Sequence, residues 1–127
     1  MFKDTKAFSG FAVKDTAEAK QFYSQILDLN VEDGQMAGII QLNIVGGNHI
    51  LIYPKPDHIP ASFTILNFPV INIESAVEQL TARGVQFIIY NEPHFKTDDK
   101  GIFRGGGPKI AWFKDPAGNI LSIIQQL

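Results

Sequence analysis

The feature that most limits what this chain can become is a pattern of elements that runs twice. Residues 8–13 alternate loosely as a strand, and Asp15-Thr16-Ala17-Glu18 reads as a helix cap with Glu at the third helical position, close to a capping box. Ala19, Phe22, Tyr23, Ile26 and Leu27 follow at helical spacing, so one face is apolar and the helix is expected to end near Asp28. A short strand is predicted over 30–32, and strands over 38–45 and 48–53 form a hairpin around Gly46-Gly47. Then comes the proline-rich connection Pro54-Lys-Pro-Asp-His-Ile-Pro60. After it the order restarts: a strand over 63–70, a helix from an Asn72 cap with Ile73, Val77 and Leu80 on one face, a stop at Gly84, and a strand over 85–90. A long polar segment, 91–109, leads to a last hairpin of 110–113 and 119–124 around Asp115-Pro116-Ala117-Gly118.

The two halves match residue by residue. Phe11-Ala-Val13, Asp15 and Ala19 line up with Phe68-Pro-Val70, Asn72 and Ala76 at a constant offset, and Gly47-Asn48 lines up with Gly118-Asn119. The reading is one domain, 1–127, of two βαβββ modules, about 1–54 and 62–127, joined by 55–61. Its class is α+β, with mixed sheets. One helix per module is too little to cover both faces of its strands. The other face must find the second module, a second subunit or a ligand.

Composition narrows the partners. A formal charge of −2 gives no footprint for nucleic acid or an anionic membrane. The absence of cysteine excludes a disulfide scaffold, iron–sulfur clusters and thiolate zinc, and fits a reducing cytoplasm. The first ten residues, MFKDTKAFSG, hold no apolar stretch of signal-peptide length, and no apolar run approaches the roughly 20 residues of a spanning helix. The expectation is a cytoplasmic protein.

Phe11-Ala-Val-Lys-Asp15, Phe22-Tyr23, Leu27-Asp-Leu29 and Phe113-Lys-Asp-Pro-Ala-Gly-Asn-Ile-Leu121, in this order and spacing, resemble the vicinal oxygen chelate superfamily of glyoxalase, bleomycin-resistance proteins and extradiol dioxygenases. Asp28 stands where the family usually has Gly. The resemblance implies a cup-shaped sheet from two βαβββ modules, helices outside, and a site on the inward face. In the metalloenzymes four inward positions, two per module, hold a divalent ion with His, Glu or Gln. Carried onto this chain, those positions are Phe8, Leu51, Ile65 and Ser122. Three carbon side chains and a serine do not make a metal site, and a slip of one residue reaches Ser9, His49 or Ile50, Thr64 or Leu66, and Leu121 or Ile123, still without a quartet. No cofactor is expected.

Strand alternation extends the inward set. Ile120, Ser122 and Ile124 share a face, with Leu121 and Ile123 toward the helix; Phe8, Gly10 and Ala12 share one, with Phe11 and Val13 under the first helix. His49, Leu51 and Tyr53 go together, as do Ile65 with Asn67 and Ile110 with Trp112. This is an apolar, aromatic lining with sparse polar groups, the make-up of a small-molecule pocket. The segment 91–109 carries His94, Phe95, Phe103 and Arg104 and then three glycines, and reads as a lid, with Arg104 offering charge to a ligand. The competing reading of each residue is structural: period-two apolar residues are core, a buried serine donates to a neighbouring carbonyl, and the long segment is a surface loop. The reading is a metal-free small-molecule-binding protein, a homodimer as the resemblance implies. The alternative is a lyase, isomerase or dioxygenase with atypical metal ligands, or metal-free acid–base chemistry by His49, His94 or Tyr53.

Overall fold

A computed structural model describes residues 1–126 of the 127. The chain divides into two compact units, Met1–Pro60 and Ala61–Leu127, with the boundary at the proline-rich connection. Each unit has a four-stranded mixed sheet and one helix, an α+β architecture. Among the described residues no helix is long and apolar enough to cross a membrane.

The first unit runs β1 (Ser9–Val13), α1 (Thr16–Gln21), β2 (Asn30–Asp33), β3 (Ile40–Asn43) and β4 (Ile50–Pro54), in spatial order β1-β4-β3-β2. β1 and β4 are parallel, and the other neighbours are antiparallel. Asp15 caps α1 by accepting from the Ala17 and Glu18 N–H groups at 2.9 and 3.2 Å. From Phe22 to Ile26 the winding widens to a π-helix, and the Leu27 N–H donates back to the Phe22 carbonyl. Asp28 follows with φ 58°, the left-handed conformation that ends the helical run. Glycine takes it without strain and Asp tolerates it, which accounts for the departure from the family's usual Gly. Val13, Ala19, Tyr23, Ile40, Leu42, Ile50 and Ile52 are buried, so alternate residues of β3 and β4 fill the helix side.

The second unit repeats the plan with a detour. β5 (Thr64–Pro69) leads to α2 (Ile73–Ala82), and β9 (Lys109–Lys114) and β10 (Ile120–Gln125) form the last hairpin. The sheet order is β5-β10-β9-β8, where β8 is Ile102–Phe103, with β5 and β10 parallel. Asn72 caps α2 by accepting from the Ser75 N–H, and Gln125 on β10 accepts from the Ile73 N–H, which ties the helix start to the sheet. Gly84, φ 96°, sits just past the Arg83 cap. Ile73, Val77, Ile102, Ala111, Phe113, Leu121 and Ile123 make the buried layer.

The expected strand over 85–90 is not there. The segment touches the sheet at one bridge, Phe87 to Phe113, with the Ile88 N–H on the Trp112 carbonyl, and then leaves. The outer position is completed by β8 (Ile102–Phe103), which pairs with Ala111 and Ile110. Between them lies a small hairpin, β6 (Asn91–Glu92) and β7 (Phe95–Lys96). The segment read as one long loop is therefore partly built. The pairings that build it, such as Asn91 with Lys96 and Ile102 with Ala111, are short-range, but strands of two residues are too short to show alternation in the sequence.

The last turn sets the register of this sheet. Asp115 is buried at 4% exposure, and its carboxylate accepts from the Ala117 N–H, the Asn119 N–H and the Asn119 side-chain amide at 2.9, 2.9 and 3.0 Å. Asp115→Ala should cost about 2–3 kcal/mol, since three donors lose their acceptor. Urea unfolding at neutral pH measures it, and a loss under about 0.5 kcal/mol would show that the turn holds without the carboxylate.

Candidate functional site

The face of the second sheet that points away from α2 carries the chemistry. Register places Trp112 opposite Ser122, and Ser122 opposite Asn67, so these three share that face. Ser122 is fully buried and its hydroxyl donates to the Asn67 carboxamide oxygen at 2.5 Å. The acceptor is a neighbouring carbonyl, that of a side-chain amide. Asn67 is itself exposed, with its amide NH₂ directed to no hydrogen-bond partner among the described residues. The Trp112 indole N–H donates to the Thr64 hydroxyl at 3.1 Å.

Thr64 entered the sequence reading only as a one-residue slip from Ile65, and a β-bulge is what brings it to Trp112. Ile120 pairs with Thr64 and Leu121 with Leu66, which leaves Ile65 as an extra residue on β5. Strict alternation puts Ile65 on a face with Asn67; the shift gives Thr64 the partnership with Trp112.

Over this face stands a cluster of four rings. Phe103 pairs with Ile110 in register and so lies on the Trp112 side, 6.3 Å between ring centroids. Phe95, from the small hairpin, stacks on Phe103 at 5.0 Å and 14° and reaches Trp112 at 5.2 Å. Tyr90 meets Trp112 edge-on at 5.6 Å and Phe95 at 5.1 Å. Phe103 and Trp112 were expected here. Phe95 was read in the same segment as Phe103; Tyr90 was not, because its contacts depend on where the detour returns to the sheet. His94, beside Phe95, is exposed.

Arg104 lies elsewhere. Its guanidinium bonds Glu74 of α2 at 2.8 Å and Asp98 at 3.1 Å, and Lys109 stands 3.8 Å from the same Glu74 oxygen. It follows the end of β8 and reaches α2, so the expected lid charge is spent on tying residues 98–104 to the helix. Burial pushes the Asp98 carboxyl up, but the Ile102 N–H, Arg104 and the Lys100 N–H outweigh it and hold it below the ordinary carboxylate range. Hydrogen bonding by Arg104 lowers Glu74 as well, and Glu74 and Asp98 together raise Arg104.

In the first unit, Phe8 and His49 face each other at 4.6 Å and 30°, Leu51 is half-buried and Tyr53 is 43% exposed. The Asn48 amide donates to the carbonyls of Lys6 and Ala7, which fixes the approach to β1.

The model of the Glyoxalase/Bleomycin resistance protein/Dioxygenase superfamily matches residues 8–123. The chain belongs to this superfamily. A superfamily member from Sphaerobacter thermophilus is similar in structure at TM-score 0.71 and 20% identity, over 99% of this chain and 100% of that one. The fosfomycin resistance protein FosX of Listeria monocytogenes gives 0.70 and 13%, over 98% and 94%. TnmS3, an antibiotic binding protein from a Streptomyces species, gives 0.65 and 20%, over 98% of each chain. At these identities the likeness is one of fold. A search of curated protein sequences finds no match.

The superfamily's divalent ion does not fit the residues at its expected positions here. Phe8, Leu51 and Ile65 have no lone pair to donate, and the Ser122 hydroxyl is buried and already bonded to Asn67. Among the described residues no group of three or more His, Cys, Asp or Glu is placed to hold a metal.

The ion network has a pH signature. Glu74 and Asp98 sit below their ordinary values in the fold, so their contribution is present above about pH 5 and is lost as pH falls through the lowered values. Thermal melts from pH 7 to pH 3 should show a smaller acid-side drop for the Glu74→Gln/Asp98→Asn double variant than for the parent. Equal drops would mean that the network does not couple to folding.

Proposed function

We propose that this chain is a metal-free small-molecule-binding protein whose ligand is planar and largely apolar and lies on the aromatic face of the second sheet. The four-ring cluster, on the sheet face that also holds the Ser122–Asn67 pair, carries this reading. Flat rings favour a flat partner, because offset stacking and edge contacts both need extended π surface. The Asn67 NH₂ supplies a donor for a carbonyl or ring acceptor on that ligand, and its orientation is set by the bond it accepts from Ser122. Phe95 is the ring best able to yield, since its hairpin has only two residues per strand. On this reading the segment 88–103 is a strap that lets Phe95 make way for ligand. That the fold also serves an antibiotic binding protein and a fosfomycin resistance protein is consistent with a small-molecule role.

The protein contains a single tryptophan, so its fluorescence reports on this face alone. In a thermal-shift screen of planar aromatic compounds, a ligand of this site raises Tm and quenches Trp112. Trp112→Ala should then weaken binding by about fivefold to tenfold. A ligand that stabilises the protein without touching Trp112 emission, and that binds Trp112→Ala equally well, would refute the site. Metal analysis of protein purified without chelators should find no stoichiometric Ni, Zn, Fe or Mn; one tightly held equivalent would overturn the metal-free reading. A homodimer belongs to the same proposal, because β1 and β2 end the first sheet and β5 and β8 the second. Sedimentation at twice the chain's 14.1 kDa is the expected result, and sedimentation at that mass would remove the dimer.

A further inference from the structure

A second concavity lies on the helix side of the second unit, the side away from the ring cluster. It is an open cleft of about 560 Å³. One wall is a stripe of α2, with Glu74, Val77, Glu78 and Thr81 one helical turn or two apart. The other is the segment that fails to become a strand, Val85, Gln86, Phe87 and Ile89, closed at one end by Asp99 and Lys100. The detour after Phe87 sends the chain out and back along this wall before β8 rejoins the sheet.

The lining has a definite chemistry. Val77 and Val85 are almost fully buried, Phe87 is half-buried, and Ile89 is 54% exposed at the rim, so the floor is apolar. Of the charged groups, Glu74 is already neutralised by Arg104 and Lys109. Glu78 and Asp99 have no ion-pair partner among the described residues, and neither does Lys100. Two uncompensated carboxylates against one ammonium leave the cleft negative. Its volume falls in the range of small-molecule pockets, about 300–1,000 Å³.

We infer that this cleft binds a small organic monocation, a protonated amine on an apolar or aromatic body, with the ammonium toward Glu78 and Asp99 and the body on Val77, Val85 and Phe87. Charge complementarity selects the cation. An anionic ligand gains only Lys100 and meets both carboxylates, and a neutral one forgoes the electrostatic part. The site is separate from the one under Proposed function and stands or falls without it.

The probes are 2-phenylethylammonium, the neutral 2-phenylethanol and the anion 3-phenylpropionate, added to the full chain at low salt and followed by NMR of the valine methyls and by Trp112 fluorescence. The amine should bind saturably, shift Val77 and Val85 and leave Trp112 emission unchanged. The alcohol and the carboxylate should bind several-fold more weakly. Glu78→Gln/Asp99→Asn should weaken the amine by about tenfold, and Lys100→Gln should tighten it, with the Tm of each variant confirming the fold. Equal affinity for all three probes, shifts confined to the Trp112 side, no saturation, or no response to the carboxylate variants would each overturn the inference. Quenching of Trp112 by the planar compounds bears only on the other site.

Discussion

The carboxylate of Asp115 is the constraint on which the second unit depends. A carboxylate at 4% exposure survives only if its lone pairs are used, and here the turn that it closes uses them. Closing that turn fixes the pairing of β9 with β10, with Lys114 against Ile120 and Trp112 against Ser122. A slip of one residue would carry Trp112 to the helix side and Phe113 to the ring side. The buried Phe113, Leu121 and Ile123 and the ring cluster on the opposite face therefore share one local cause.

The same plan, used twice, gives two different results because the second copy takes a detour. In the first unit the strand after the helix, β2, joins the sheet directly. In the second, the chain touches the sheet at Phe87, leaves, and comes back as β8. The excursion is held by neutral rings on one side and by charges on the other. Tyr90 and Phe95 pack on Trp112, while Arg104 and Asp98 link the returning end to Glu74. Exposed ion pairs of this kind contribute little each, so the rings carry most of the attachment. An element held mainly by a few side-chain contacts is of the kind that opens locally at modest cost.

What could be read from the sequence follows from the range of each interaction. The caps at Asp15 and Asn72, the glycine stop at Gly84 and the turn at residues 115–118 act within a few residues, and they stand where spacing put them. The facing of β10 was legible for the same reason, since alternation from a fixed turn is local. The bulge at Ile65 was not: one extra residue leaves no mark on composition, yet it changes which side chain meets Trp112. Nor were the contact of Tyr90 with Trp112 and the pairing of Arg104 with Glu74, because each depends on contacts made after the chain has left the sheet and returned.

Ser122 shows what a neutral residue at a buried position does for the face. A carboxylate at this buried position needs a compensating ion, since an unpaired charge is costly away from water. A serine and an asparagine satisfy each other instead, with a bond between neutral groups that calls for no counter-ion. Removing the charge lowers the cost of surrounding the position with carbon. Trp112, Ile120 and Ile124 are then compatible neighbours, and the rings of Phe95 and Phe103 can close over Trp112 without desolvating an ion. The neutral pair and the aromatic cover are thus two parts of one solution. An acidic side chain at 122 would place a charge at a buried position whose neighbours on the adjacent strands, Trp112 and Asn67, offer it no compensating cation.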